Sequence, residues 1–176
     1  MYLISVYFDD ATNKRIQSYI NQVAKQTGNR FMIEGKVPPH ITVTALEASD
    51  EQKVIAAMEQ VLPGVKRGTL QWASLGQFFP HVIFITPVLN EYMQMLSQNV
   101  HEKLHAVEGM ISSPYYQPFR WLPHTTIAKH LTETQMRVAF EVMQKSFGMF
   151  EGEVVEIGLA KTNPYQDLAK WKLMEE

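Results

Sequence analysis

The chain has no cysteine. That excludes disulfides, thiolate nucleophiles and cysteine-based zinc sites, and it is compatible with a reducing compartment. Long apolar runs are missing too: none approaches the ~18 residues that a membrane-spanning helix needs. The opening Met1-Tyr2-Leu3-Ile4-Ser5 carries neither the basic leader nor the long apolar stretch of a signal peptide, so the cytoplasm is the expected location. Positive charge is also short. Sixteen Lys and Arg against 18 Asp and Glu leave a net charge of −2, which excludes a coat protein held on nucleic acid by a basic surface. Local basic groups remain, because Arg30 and Lys36 precede one motif described below while Arg120 and Lys129 bracket the other. No Gly/Ser-rich linker or low-complexity tract divides the 176 residues, so one domain is expected over 1–176.

What the chain does contain is one order of elements, read twice. Tyr2 to Phe8 alternates as a strand, with Ile4, Val6 and Phe8 on one face. Ile16, Tyr19, Ile20 and Val23 then fall at helical spacing, and Thr27-Gly28 reads as a helix stop. Pro38-Pro39-His40-Ile41-Thr42-Val43 follows, a strand entered through prolines. Ser49 and Gln52 predict a capping box for a helix carrying Val54, Ile55, Met58, Val61 and Leu62, closed by Pro63-Gly64. The second pass begins with Val82-Ile83-Phe84-Ile85. Next comes a helical stripe of Leu89, Met93, Leu96, Val100 and Leu104 that should end near Gly109. Pro123-His124-Thr125-Thr126-Ile127 is again a strand entered through proline. Thr132 and Gln135 make the second capping box, and Gly148 the second stop. Further strands are expected at 69–73, 154–159 and 169–173. The pattern predicts an α+β fold, internally duplicated, with two halves (roughly 1–75 and 76–176) facing each other across a cleft.

The repeated element carries the chemistry. Side chains alternate faces along a strand, so His40 and Thr42 share one face while Ile41 and Val43 enter the core. His124 and Thr126 pair in the same way, opposite Ile127, with Thr125 standing where an apolar residue is expected. Two imidazoles can supply a general base and a general acid near neutrality. Two hydroxyls can donate to non-bridging phosphate oxygens in a crowded transition state. Together they suit opening or closing a phosphodiester without a metal or another cofactor. Chance produces Pro-His-x-Thr-apolar about 10⁻² times per chain of this composition, so two copies are a roughly 10⁻⁴ event.

These two H-x-T-apolar strands, set in near-symmetric halves and joined by Phe78-Phe79-Pro80-His81-Val82-Ile83-Phe84-Ile85, resemble the two-histidine (2H) phosphoesterase superfamily. That superfamily includes bacterial 2′-5′ RNA ligases and cyclic nucleotide phosphodiesterases. The resemblance implies two lobes whose antiparallel sheets flank a central cleft with helices outside. It also implies metal-independent work on 2′,3′-cyclic phosphates or 2′-5′ linkages, with His40 and His124 as the acid/base pair and Thr42 and Thr126 on phosphate. The expected partner is a phosphodiester substrate, an RNA end or a nucleotide, with no membrane and with the chain acting as a monomer. Many members carry Arg where Lys129 stands, and Lys129 keeps the charge without a bidentate grip. Arg120, Lys129 and Tyr116 are the candidate substrate contacts. Tyr115, Phe119 and Trp121 add rings beside the second strand that suit either core packing or base stacking. A binder of RNA ends or nucleotides that keeps the cleft without turnover is the alternative from another class.

One rival motif stands outside this scheme. His101-Glu102-Lys103-Leu104-His105 matches the H-E-x-x-H zinc-hydrolase helix. The extension that would support it fails, because Glu108 occupies the position where Gly is wanted. Leu96, Val100 and Leu104 also claim the buried stripe, which leaves both histidines on its flank. His81 and His130 fall in turn-like contexts and read as surface groups.

Overall fold

The computed structural model describes residues 1–162 and 164–175. β1 (Tyr2–Phe8) leads through α1 (Asp10–Thr27) and a single turn, α2 (Phe31–Glu34), to β2 (Ile41–Glu47), α3 (Glu51–Val61) and β3 (Gly68–Phe78). The series then restarts with β4 (Val82–Pro87), α4 (Glu91–His105), a two-residue β5 (Ile111–Ser112) and β6 (Thr125–Ala128). It closes with α5 (Glu133–Ser146), β7 (Phe150–Lys161) and β8 (Gln166–Lys172).

Local chemistry accounts for the helix ends. The Asp9 carboxylate accepts from Thr12 N at the start of α1, and Gly28 takes the left-handed φ of 72° that lets its N–H reach back to Ala24 O. Thr132 and Gln135 form the expected capping box on α5. The box expected at Ser49 and Gln52 does not form. Asp50 caps α3 instead, accepting from Gln52 N, because its carboxylate is a stronger acceptor placed one residue nearer the helix. Asn90 caps α4, which leaves Leu89 outside the helix and exposed. That helix stops at His105, short of Gly109, which carries a positive φ in the following turn. The three further strands appear as β3, β7 and β8, and β3 and β7 run longer than expected because each is paired along both edges.

The strands form one antiparallel sheet in the order β5-β2-β1-β7-β3-β4-β6, with β8 lying against the C-terminal part of β7. Matching β1, β2 and β3 with β4, β6 and β7 makes this order a palindrome, β2-β1-β7 | β3-β4-β6. The third strand of each half therefore lies against the first strand of the other as well as against its counterpart: β7 pairs with β1, and β3 pairs with both β4 and β7. The helices cross in the same sense. α1 packs on α5 and β6 of the second half, whereas α4 packs on α3 and β2 of the first. Neither sequence half closes a sheet by itself. No helix among the described residues is long and apolar enough to cross a membrane.

The crossing is sealed by aromatic packing. Trp72 of β3 is fully buried, stacked on Phe150 of β7 at 5.0 Å and met edge-on by Phe8 of β1 at 4.9 Å. Three strands, two from the first half and one from the second, meet in this cluster. Trp72→Ala should therefore lower unfolding free energy by about 3–5 kcal/mol in urea titration, the usual cost of removing a large buried ring. A loss below about 1 kcal/mol would show that the crossing does not rely on this ring.

Candidate active site

His40 and His124 each stand one residue before their strand, at the cleft end of β2 and β6. Behind them Ile41, Val43 and Ile127 are fully buried, but Thr42 and Thr44 are buried as well, so β2 is covered on both faces; Thr125 takes an apolar position with its hydroxyl unpartnered. Both histidines are half-buried. Each Nδ1 lies 2.8 Å from the backbone carbonyl two residues upstream, Pro38 O for His40 and Leu122 O for His124. A carbonyl only accepts, so Nδ1 carries the hydrogen in both rings and Nε2 holds the lone pair of the neutral form. The intervening prolines, Pro39 and Pro123, hold the chain extended at this point and are both buried. Two copies of one local geometry thus set two imidazoles in the same tautomer.

Their surroundings differ. Burial lowers the pKa of His40, the Pro38 carbonyl opposes this, and the charges of His124 and Lys129 lower it further while Asp167 raises it. Burial also lowers His124, again opposed by its carbonyl tether. His40 and His124 each line a cavity, and the two cavities share wall residues. One of about 410 Å³ is lined by His40, Phe31, Glu34 and Tyr165, and one of about 430 Å³ by His124, Phe78, Tyr115 and Arg120. Thr126 and Lys129 line both. The two threonines are therefore unequal. Thr126 faces the cleft, whereas Thr42 is only 7% exposed and lines neither cavity. Tyr116 lines the His124 cavity, and burial raises its pKa against the pull of its hydrogen bond with Thr42. The Lys129 ammonium sits 4.7 Å above the Phe31 ring, and its backbone carbonyl accepts from Asn29 Nδ2 at 3.2 Å. Arg30, by contrast, is paired with Glu34.

Sequence reasoning passes over a set of supporting residues. Beside His40 the Tyr7 hydroxyl meets Tyr165 Oη at 3.0 Å, Tyr165 donates to Asp167 at 2.6 Å, and Lys170 binds the other Asp167 oxygen at 2.9 Å. Burial pushes the Tyr7 hydroxyl up to about 12. Burial also acts to raise Asp167, but the bonds from Tyr165 and Lys170 outweigh it and hold the carboxyl below its usual range. The aromatic neighbours are likewise uneven: Tyr7 lies 6.3 Å from the His40 ring, while Phe78 and Phe84 lie 4.7 and 5.2 Å from His124.

A shared row of residues supports both sides. Across three strands the register reads Gly158, Ser5, Thr42 on one side and Gly76, Phe84, Thr126 on the other. A Cβ on Gly158 would stand 2.9 Å from the Tyr7 ring and 3.0 Å from Ala169 O, and one on Gly76 would collide with the Phe84 ring. In both places a strand glycine makes room for the ring that backs a histidine. Glycine inside a strand was the available signal, since it weakens the strand unless something packs over it.

The H-E-x-x-H residues go elsewhere. His101 and His105 stack at 5.8 Å on α4, and Glu102 accepts from Gln98. Among the described residues no group of three or more His, Cys, Asp or Glu is placed to hold a metal ion. His81 and His130 are exposed, as their turn contexts imply.

Comparison with known proteins bears on the family and the fold. The family model described as the 2′-5′ RNA ligase superfamily matches residues 9–166. No curated protein matches the chain by sequence. Among solved structures the chain is similar to TT0787 of Thermus thermophilus, with TM-score 0.65, 15% identity and coverage of 99% of this chain and 98% of that one. It is also similar to E. coli LigT complexed with 3′-AMP, with TM-score 0.62, 15% identity and coverage of 99% of this chain and 98% of that one. At such identities the likeness is one of fold.

The glycine row yields a direct test. Gly76→Ala should displace the Phe84 ring and, through it, His124, seen as a shift of the His124 ring-proton resonances with those of His40 unmoved. Gly158→Ala should do the reverse through Tyr7. Unchanged imidazole resonances in both variants would mean that the rings do not position the histidines.

Proposed function

The chain belongs to the 2′-5′ RNA ligase superfamily of two-histidine phosphoesterases, and we propose that it is a metal-independent enzyme acting on 2′,3′-cyclic phosphate or 2′-5′ phosphodiester bonds of RNA or nucleotides. The observation that carries this reading is the pair of identically tethered imidazoles, each with Nε2 available, on one cleft with Thr126 and Lys129 between its two cavities. The complex of the similarly folded LigT with 3′-AMP supports a nucleotide ligand.

In hydrolysis of a cyclic phosphate, one neutral imidazole takes a proton from water at Nε2 as the water oxygen bonds to phosphorus. The other, protonated, gives its Nε2 proton to the ribose oxygen as the phosphorus–oxygen bond breaks. Cleavage of a 2′-5′ linkage uses the neighbouring 3′-hydroxyl as the nucleophile and expels the 5′-oxygen, and ligation is its reverse. Thr126 donates to a non-bridging oxygen, and Lys129 offsets the phosphate charge. Thr42, buried and lining neither cavity, contributes less. Burial depresses both imidazoles, and the charges of His124 and Lys129 lower His40 further. A bound phosphodiester anion acts the other way and favours the charged form in both rings.

The pH dependence follows with its sign. One ring must be neutral and the other charged, so kcat/KM is bell-shaped and reports the free enzyme. Both free-enzyme values are lowered, so the bell should centre below about 6.5, the ordinary histidine value. Bound anion raises both, so the kcat profile should centre at higher pH than kcat/KM. A free-enzyme optimum above neutrality contradicts the assignment.

Substitution gives the second check. On 2′,3′-cyclic nucleotides and 2′-5′ dinucleotides, assayed after exhaustive chelation, His40→Ala and His124→Ala should each reduce kcat by on the order of 10²–10⁴-fold. Thr126→Ala should cost less. With a p-nitrophenyl leaving group, which needs no proton, one histidine variant should recover and the other should not. Near wild-type rates from both variants would make the cleft a binding site for RNA ends rather than a catalytic one.

A further inference from the structure

The turn between α1 and α2 belongs to the first half of the chain, yet it is fastened to the segment that follows β6 in the second. Asn29 Nδ2 donates to two successive carbonyls, Lys129 O at 3.2 Å and His130 O at 3.3 Å. Its Oδ1 accepts from Phe31 N at 3.2 Å, which ties the start of α2 into the same clip. Gln135 Nε2 adds another bond between the halves, to Thr27 O at 3.1 Å. His130 is held there at a φ of 58°, which side chains other than glycine rarely adopt.

The clip sets Phe31 against the Lys129 side chain. The ammonium lies 4.7 Å from the ring centroid, and the His130 ring meets Phe31 edge-on at 4.5 Å. Phe31 is 40% exposed and stands outside the hydrophobic core, so core packing does not account for its place. Lys129 takes part in no ion pair among the described residues. Glu34, in the wall of the same cavity, is paired with Arg30 instead. The ring face is therefore the attractive contact that fixes where this charge sits.

A lysine needs such a contact more than an arginine does. Its ammonium is a point charge on a flexible four-carbon stem, and ordering that stem costs conformational entropy. A stem ordered in advance spares an arriving anion that cost. Lys129 lines both cavities, so the place where the ring holds it lies between the two histidines' pockets.

Resting on the phosphoesterase reading above, in which Lys129 offsets the phosphate charge, we infer that Phe31 is a positioning residue. Its ring face holds the Lys129 ammonium ready for the phosphate before substrate arrives. Phe31 acts through the lysine and not by stacking on a base. A residue of the first half thus sets the anion grip of a residue in the second.

The test is a double-mutant cycle in the full chain, read with inorganic phosphate, which has no base to stack. Phosphate is titrated against the imidazole ring-proton resonances, and kcat/KM is measured on a 2′,3′-cyclic nucleotide. Phe31→Leu keeps apolar bulk but removes the π face. It should weaken phosphate binding about two- to fivefold, the range of an exposed cation–π contact, and lower kcat/KM in step. Phe31→Trp, a better π face, should bind phosphate as well as the wild type or more tightly. In a Lys129→Met background, Phe31→Leu should add nothing further. The Lys129 ε-methylene protons, shifted upfield by the ring, should return to their ordinary position in Phe31→Leu. Phe79→Leu, which removes an exposed ring that lines neither cavity, should change none of these. Phosphate binding that is absent in the wild type, or unchanged or tighter in Phe31→Leu, would overturn the inference. So would Phe31→Trp binding as weakly as Phe31→Leu, or an equal loss without the lysine, which would put the ring on the ligand itself. Any of these with turnover intact leaves the phosphoesterase reading standing. Absence of turnover in the wild type counts against that reading, and the phosphate cycle still decides the role of Phe31.

Discussion

Trp72 and Phe150 lie face to face across the β3–β7 pair, and the rest of the molecule is arranged around that contact. Because β7 continues past Phe150 to run beside β1, while β3 continues past Trp72 to run beside β4, each half borrows its third strand from the other. The helices follow, with α1 covering β6 and α4 covering β2. Two motif strands at opposite ends of one palindromic sheet are thereby tied into a common frame. A duplicated chain whose halves closed separately would leave the two histidines on independent bodies. The exchange makes their relation part of the core.

On this symmetric frame the two sides of the cleft are made unequal. The local geometry of each imidazole is the same, down to the 2.8 Å tether from Nδ1 to the carbonyl two residues back. What surrounds them is not. Beside His40 stands a network of Tyr7, Tyr165, Asp167 and Lys170, with a carboxylate whose charge acts on the ring. Beside His124 stand Phe78 and Phe84, with Arg120 in the same cavity. Equal groups in unequal fields titrate differently, which is the condition for one to act as acid while the other acts as base. The same inequality sets a hydrogen-bonded tyrosine and carboxylate network at one end and aromatic rings with Arg120 at the other.

Local stability is given up to build this cleft. Gly76 and Gly158 sit inside strands, where glycine is entropically costly, so that Phe84 and Tyr7 can lie against the sheet. Among the described residues the three positive-φ residues other than glycine, Lys36, Phe119 and His130, lie within a few positions of a motif histidine. Thr125 keeps an unpartnered hydroxyl at a core position. Strain and loss of this kind persist where the surrounding core overrules local preference, and here the Trp72 cluster is a ready source of that support.

Much of this was legible in the residues alone. Strand and helix periods, the stop at Gly28, the cap at Thr132 and the repetition itself are all local or near-local properties, carried by side-chain alternation and by hydrogen bonds a few residues long. The prolines before each histidine belong with them, since the tether they set spans two residues. The strand exchange was not legible, because antiparallel pairing depends on which edge is free in the assembled sheet and neither half records that in its own pattern. Nor was the inequality of Thr42 and Thr126, which occupy the same place in the same motif. It arises from what surrounds each of them in the assembled sheet, where Thr42 is buried and Thr126 lines both cavities. The network beside His40 joins residues 158 positions apart. The sequence by itself determined the local conformation that each motif histidine takes at the start of its strand; only tertiary structure decided what each side chain meets, because contacts at that separation are chosen by the closing of the core and not by the period of any segment.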